Sequence, residues 1–281
     1  MPCYNAAGFI SRTLDSLAAQ TWTDFEILIG EDCSTDDTLK IVSAFADGRS
    51  DVIVVRRLHN LGWLKNSNDL MAKATGELMF FAFHDDVVDP TYVEVLVEAL
   101  RSNPAAILSY CDVEVFEVNG TGKAHVFDRL SKLDGSLARG LAMAELPRNW
   151  WVPNRGVFRA SAFQRIGGMK PNSQGEFGAD WPWLLHLSML GAFVRVPQLL
   201  CHKYYQKGSL SKNWAYSPLQ WRVLRHAGMR EIWQSEFGLA KRAIVAGYVG
   251  LQPARFLIRL PQRVGRWIKH RLGLPRRDRT P

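Results

Sequence analysis

MPCYN at residues 1–5 and QTWTDFEILIGEDCSTDDT at 20–38 decide the fold. In the second stretch FEILIG, at 25–30, is a short apolar run without polar alternation, which predicts a strand buried on both faces. It runs into Glu31 and Asp32, and then into S-T-D-D, a helix start for which Asp36 or Asp37 is the cap. Ahead of it, residues 6–19 set Ile10, Leu14 and Leu17 at helical spacing with Arg12 and Asp15 between them.

The same alternation continues outward. VIVV at 52–55 and LMFFAF at 78–83 read as buried strands, with a helix over 66–74 between them. Asp89-Pro90 starts a helix whose buried face holds Leu96, Val97 and Leu100, and AAILSY at 105–110 is a further strand. Apolar strands alternating with helices predict an α/β, Rossmann-like, mostly parallel sheet flanked by helices. Ligands of such sheets bind beyond the carboxyl ends of the strands. That rule points to Pro2–Asn5, Glu31–Asp36 and His84–Asp86. After about residue 113 the alternation fades. The glycines of 119–150 suggest loops, 180–191 a helix with Pro182 in its first turn, AFVRVP at 192–197 a strand, and 218–250 helices. Three parts are expected: 1–112, 113–217 and a helical basic extension, 218–281.

The chain has 281 residues, 47% hydrophobic, with no apolar run of the roughly 18–20 residues that span a membrane. Its N-terminus lacks a basic region followed by an apolar core, and its four cysteines are scattered, which fits free thiols in a reducing cytoplasm. Residues 255–281 hold nine Lys/Arg against one acid, an excess equal to the +8 of the whole chain. Trp267, Leu260 and Ile268 interleave with those arginines. That pattern suits an anionic membrane surface better than nucleic acid, a solvated basic tail being the plain alternative.

Several groups of residues carry chemistry. Asp32, at a strand end, can accept hydrogen bonds from a base or ribose, or can serve the turn. Asp85 and Asp86 are costly to leave unpaired after an apolar strand. A divalent cation bridging a diphosphate would resolve that, as would an acidic loop leading to the Asp89 cap. Asp180 opens the helix DWPWLLHLSML, where by position alone it is an N-cap. Lys203 and Lys207 lie in a basic aromatic loop, HKYYQKGSLS at 202–211, in which Tyr204 is a candidate for stacking.

P-x-Y-N, the acidic turn with S-T-D-D, Asn60-Leu61-Gly62, Ala74-Thr75-Gly76-Glu77, His84-Asp85-Asp86, Ala179-Asp180-Trp181 and the G-S-x-S ending follow one another as they do in family 2 glycosyltransferases, which this chain resembles over roughly residues 2–211. The resemblance implies a GT-A fold and inverting transfer of a sugar from a nucleotide-diphosphate donor, most often UDP-linked in such families, to a glycan or lipid-linked acceptor in envelope polysaccharide synthesis. It implies donor contacts from Pro2, Tyr4, Asn5, Asp32, Asn60, Asp85, Lys203 and Lys207. It also implies Mg²⁺ or Mn²⁺ on Asp85 (with Asp86 a second candidate), Asp180 as general base, and Trp150, Trp151, Asn154 and Trp181 on the acceptor side. In the family the P-x-Y-N loop follows a buried apolar strand, so the first strand is expected to be truncated here, with Met1 internal to it and the natural chain beginning upstream. Phe83 and Ala179 replace acids of the family's D-x-D and E-D-W motifs, which keeps a non-catalytic nucleotide- or glycan-binding protein as the alternative.

Overall fold

The computed structural model describes residues 1–206 and 209–252. Lys207 and the basic stretch 255–281 lie outside the described residues.

The first part alternates as expected: β1 (Pro2–Cys3), α1 (Ile10–Ala18), β2 (Ile27–Glu31), α2 (Thr38–Ala46), β3 (Val52–Arg56) and α3 (Trp63–Lys73). β1, β2 and β3 form a parallel sheet in which Pro2 pairs with Gly30, and Ile27 to Glu31 pair with Val52 to Arg56. Every residue of β2 is buried, as its unbroken apolar run requires. α1 buries Ile10, Leu14 and Leu17 in a core shared with Ile27, Ile29 and Val42. Asp36, not Asp37, serves the start of α2: its Oδ1 accepts the Thr38 N–H at 3.0 Å.

The second part comprises β4 (Leu78–Phe80), β5 (Asp86–Val88), α4 (Tyr92–Arg101), β6 (Ala106–Phe116), β7 (Gly122–His125), α5 (Ser136–Ala144), a 3-10 turn at Val152–Arg155, β8 (Val157–Arg159), α6 (Ala160–Ile166), α7 (Asp180–Leu190), β9 (Ala192–Tyr204), α8 (Pro218–Gln234) and α9 (Leu239–Gly250). The strand order is β4-β8-β6-β9-β5, with β7 on β6. Here the expectation of a mostly parallel sheet fails. Only β6 and β9 are parallel, and the four other pairings are antiparallel. The reason is local connection: β6 and β7 are joined by a tight turn in which Gly120 has φ +81°, and β7 turns straight back along β6. The glycines read as loop thus mark a hairpin, and α5 also lies in that stretch. The boundary expected at 112/113 falls inside β6, which both halves share.

α7 is apolar all round, and Trp181 to Met189 are all buried, which makes it the central helix of the larger core with Tyr92, Tyr110, Phe158 and Phe193. β1 and β4 belong to different sheets. A cavity of about 580 Å³, lined by Met1, Leu28, Met71, Phe80, Val97 and Leu100 among others, separates β2 from β4. The Met1 amine is buried beside it and donates to the Leu28 carbonyl, and burial pushes its pKa down to about 5.

Candidate functional site

The carboxyl ends of β1 and β2 are stitched to each other. Asn5, held at φ +46°, accepts the Thr35 N–H on Oδ1 at 2.8 Å, and its own N–H reaches Ser34 Oγ at 3.0 Å. Asp36 Oδ2 accepts the Ala7 N–H at 3.0 Å. Asp32 is buried, and its two oxygens accept the N–H groups of Leu61 and Gly62 at 2.8 and 3.0 Å, while Asn60 Oδ1 also takes the Gly62 N–H. Asn5, Asp32 and Asn60 therefore shape the wall by holding loops together. Tyr4, 42% exposed, is the aromatic of this group, and Asn5 and Asn60 are exposed beside it.

The acidic turn joins the same wall. His84 Nδ1 lies 3.1 Å from the Pro2 carbonyl, its ring stacks on Phe9, and Thr13 Oγ1 donates to the carbonyls of His84 and Asp86. The three loops indicated by the strand-end rule thus meet in space.

Behind them sits a closed set of charges. Asp86 points inward, 4% exposed, and its Oδ2 accepts Arg155 Nε at 2.7 Å. Lys203, opposite Asp86 in the antiparallel β5–β9 pair, brings Nζ to 3.3 Å from Asp85 Oδ2 and 3.8 Å from Asp86 Oδ1. Burial pushes the Asp85 carboxyl up, but the charges of Lys203, His84 and Arg155 outweigh it and hold it below the usual carboxylate range. For Asp86 burial wins over Arg155 and Lys203, and its pKa is raised. Arg155 was not singled out from the sequence. Its guanidinium lies 4.4 Å from the centroid of Phe83 and 5.0 Å from that of Trp151. Phe83, which stands where the family motif has its first acid, is a face for this cation.

Asp180 occupies the first turn of α7 and is half-buried. Burial lifts its pKa to about 6 against the opposing pull of backbone N–H groups and of Arg155 and Lys203. Asn154, in the 3-10 turn next to Arg155, donates to Asp180 Oδ2 at 3.4 Å. One short turn therefore touches both the base candidate and the acidic loop. Gly156 closes that turn where a Cβ would lie 2.3 Å from the Ser109 carbonyl oxygen. Gly156→Ala is expected to cost about 1–3 kcal/mol through the forced shift of the turn, measured by urea denaturation.

Other expectations fare differently. Trp181 is fully buried with its indole N–H donated to the Met143 carbonyl, so it belongs to the core and offers an acceptor no surface. Trp151 lies under Arg155 and beside His125, and Trp150 packs at the edge of the core, both half-buried. Tyr204 is sandwiched between Phe116, 4.8 Å away, and Arg12, which leaves no face for a base. Asp86 is the more buried of the two carboxylates, its side chain 5% exposed against 14% for Asp85, and its Oδ2 is taken by Arg155.

The donor set for a divalent cation is narrow. Among the described residues no three His, Cys, Asp or Glu side chains are grouped as a metal cage. Asp85 is one carboxylate with an ammonium at hand. Mg²⁺ commonly binds through one or two carboxylates plus phosphates and water, so Asp85 fits a cation that arrives with a diphosphate.

Residues 1–157 match the family model described as Glycosyl transferase family 2. An uncharacterized glycosyltransferase of Nostoc sp. is 29% identical over 173 residues, 60% of this chain and 52% of that protein. The poly(ribitol-phosphate) beta-N-acetylglucosaminyltransferase TarS of Staphylococcus aureus is 28% identical over 124 residues, 43% of this chain and 21% of that protein. The chain thus spans about half the length of the first and a fifth of the second. Among solved structures, S. aureus TarS 1–349 in complex with UDP-GlcNAc superimposes with a TM-score of 0.69 at 19% identity, covering 89% of this chain and 70% of that one. The mannosyltransferase PcManGT of Pyrobaculum calidifontis, in complex with GDP-Man and Mn²⁺, gives 0.53 at 17% identity, covering 98% and 79%. At these identities the likeness speaks for the fold.

Proposed function

The chain belongs to glycosyl transferase family 2, and from that premise we propose that it moves a sugar from a nucleoside-diphosphate donor, UDP-linked, to a hydroxyl of a glycan or lipid-linked acceptor, with inversion. The observation that carries this reading is Asp180, a carboxylate with its pKa lifted to about 6, linked by one turn to the acidic loop at the strand ends. Residues 1–112 supply the donor wall and 113–217 the acceptor side with the base. Asp180 takes the proton of the acceptor hydroxyl as that oxygen attacks the anomeric carbon from the face opposite the diphosphate. Asn154 orients the carboxylate for this step. Asp85 would hold one Mg²⁺ or Mn²⁺ together with the diphosphate, and such an ion offsets charge on a leaving group. Tyr4 is the donor-side aromatic open to solvent. Among the described residues no helix is long and apolar enough to cross a membrane. We place the enzyme at the cytoplasmic face of the membrane, in envelope polysaccharide synthesis, on the strength of the acceptor class and the basic stretch 255–281.

A thermal-shift panel of UDP, GDP, dTDP and CMP, each with and without Mn²⁺, tests the donor. UDP with Mn²⁺ is expected to raise the melting temperature, since a ligand of the folded state stabilises it by RT ln(1 + [L]/Kd). No shift from any nucleotide on folded protein would move the reading to a non-catalytic glycan-binding protein. Activity should also follow the base. Asp180 must be ionised to accept a proton, so kcat/KM is expected to fall about tenfold per pH unit below about pH 6, measured as initial rates of UDP release. A flat profile from pH 5 to 7 would argue against Asp180 as the base.

A further inference from the structure

The acidic loop is electrically complete before any ligand arrives. Asp85 and Asp86 face Lys203 and Arg155, two carboxylates against two cations. Arg155 takes Asp86 Oδ2, and Asp86 Oδ1 is buried with no hydrogen-bond partner. The ammonium of Lys203 stands between that oxygen and Asp85, with its side chain 11% exposed. The backbone fixes it there: Asp86 and Lys203 are register partners, and the next N–H, of Tyr204, bonds the Asp85 carbonyl at 3.3 Å. A divalent cation has no place ready in this set. To reach Asp85 it must move Lys203 aside, and it then adds two positive charges where Lys203 and Arg155 already stand nearly buried, a costly state. A diphosphate arriving with it brings the missing negative charge. Lys203 has somewhere to go, because its Nζ already lies 5.0 Å from the Tyr205 ring centroid on the side of β9 that leads to the loop.

We infer that Lys203 is the resident counter-ion of the Asp85 site, holding the place of the divalent cation so that the cation binds only together with the nucleotide diphosphate. This rests on the donor reading above. Two consequences follow from linkage. Metal and nucleotide tighten one another by the same factor, and removing the lysine charge turns Asp85 into a site that takes the cation alone.

Mn²⁺ binding, read from the electron paramagnetic resonance of free Mn²⁺, tests this on wild type, Lys203→Met, Lys203→Arg and Lys203→Met/Asp85→Asn, each with and without UDP and each checked by circular dichroism. For wild type, UDP is expected to tighten Mn²⁺ about tenfold or more. Lys203→Met should bind Mn²⁺ alone about tenfold more tightly than wild type, and the UDP coupling should shrink accordingly. The added Asp85→Asn should abolish that gain, and Lys203→Arg should behave as wild type. If Lys203→Met fails to fold, Lys203→Gln carries the same expectation. Equal Mn²⁺ affinity in wild type and the neutral variants overturns the inference, as does wild type binding Mn²⁺ equally with and without UDP. A wild type that binds no UDP, with or without Mn²⁺, refutes the donor reading instead, while a gain in Lys203→Met would still assign the place of the cation to the lysine.

Discussion

Asp180→Asn is expected to lower turnover by about a thousandfold, with UDP affinity nearly unchanged and a higher melting temperature above pH 6. The loss is that of a positioned base, whose contribution is typically about 10²–10⁴-fold. The amide keeps the shape and can still accept the Asn154 hydrogen bond, so the turn and the nucleotide wall stay in place. The gain in stability has a definite sign. The folded-state pKa of Asp180 is raised from 3.8 to about 6, so the folded protein holds this proton more tightly than the unfolded chain does. Its stabilising effect is complete below about pH 4 and is lost as pH rises through about 6. At neutral pH the wild type keeps an ionised carboxylate where a neutral group is preferred, and the variant does not. Calorimetry at pH 5 and pH 7.5 should show a difference between variant and wild type that grows with pH. Loss of the acid from the first turn of α7 works against this by about 0.3–1 kcal/mol. Turnover within about threefold of wild type would remove Asp180 from the chemistry.

The first part was legible because its signals are local. β2 is a run of apolar residues followed by acids, and its parallel pairing with β1 brings Pro2–Asn5 and Glu31–Asp36 together, while His84–Asp86 is held against them by Thr13 and the Pro2 carbonyl. The second half was not legible in that way. β9 runs for 13 residues through Pro197 and polar positions because it pairs with β6 along its length, from Ala192 to Tyr204, and with β5 at Cys201–Lys203, and neither pairing shows in its own composition. Trp181 looked like a sugar-facing aromatic beside Asp180, but one step along a helix that is apolar all round turns a side chain into the core. Arg155 carried no local sign of its role. Its partner Asp86 is 69 residues away in sequence, and the Phe83 face beneath it read as a missing acid. Residues far apart in sequence that meet in the buried charge cluster are what the linear pattern hides, and in this chain those contacts decide how the charges balance.

Arg155→Met should destabilise the fold by about 3–5 kcal/mol, the usual cost of leaving one member of a buried ion pair without the other. Both partners are buried, with side chains 8% and 5% exposed. Asp86 would keep only the more distant Lys203, 3.8 Å from its Oδ1. Burial already raises the pKa of Asp86, and without the guanidinium it rises further. The sign follows: a carboxyl whose folded-state pKa is raised stabilises when protonated, and that stability is lost as pH rises. The cost of Arg155→Met should therefore be smaller at pH 5 than at pH 8, as urea unfolding at both values would show. A second substitution separates charge from packing. Arg155→Met/Asp86→Leu removes both charges and fills much of their volume, so it should recover most of the loss of the single variant, since well-packed apolar replacements of buried pairs are often neutral. If the double variant is no more stable than the single one, the loss comes from packing of the Val152–Arg155 turn on Phe83 and Trp151 and not from an unpaired carboxylate. The recovered fold should still be a poor enzyme. Its turn would lack the guanidinium that pulls against the raised pKa of Asp180, and the base would need a higher pH to ionise. Stability and the poise of the proposed base are thus separable at one residue, which is what a buried cation shared between the acidic loop and Asp180 implies.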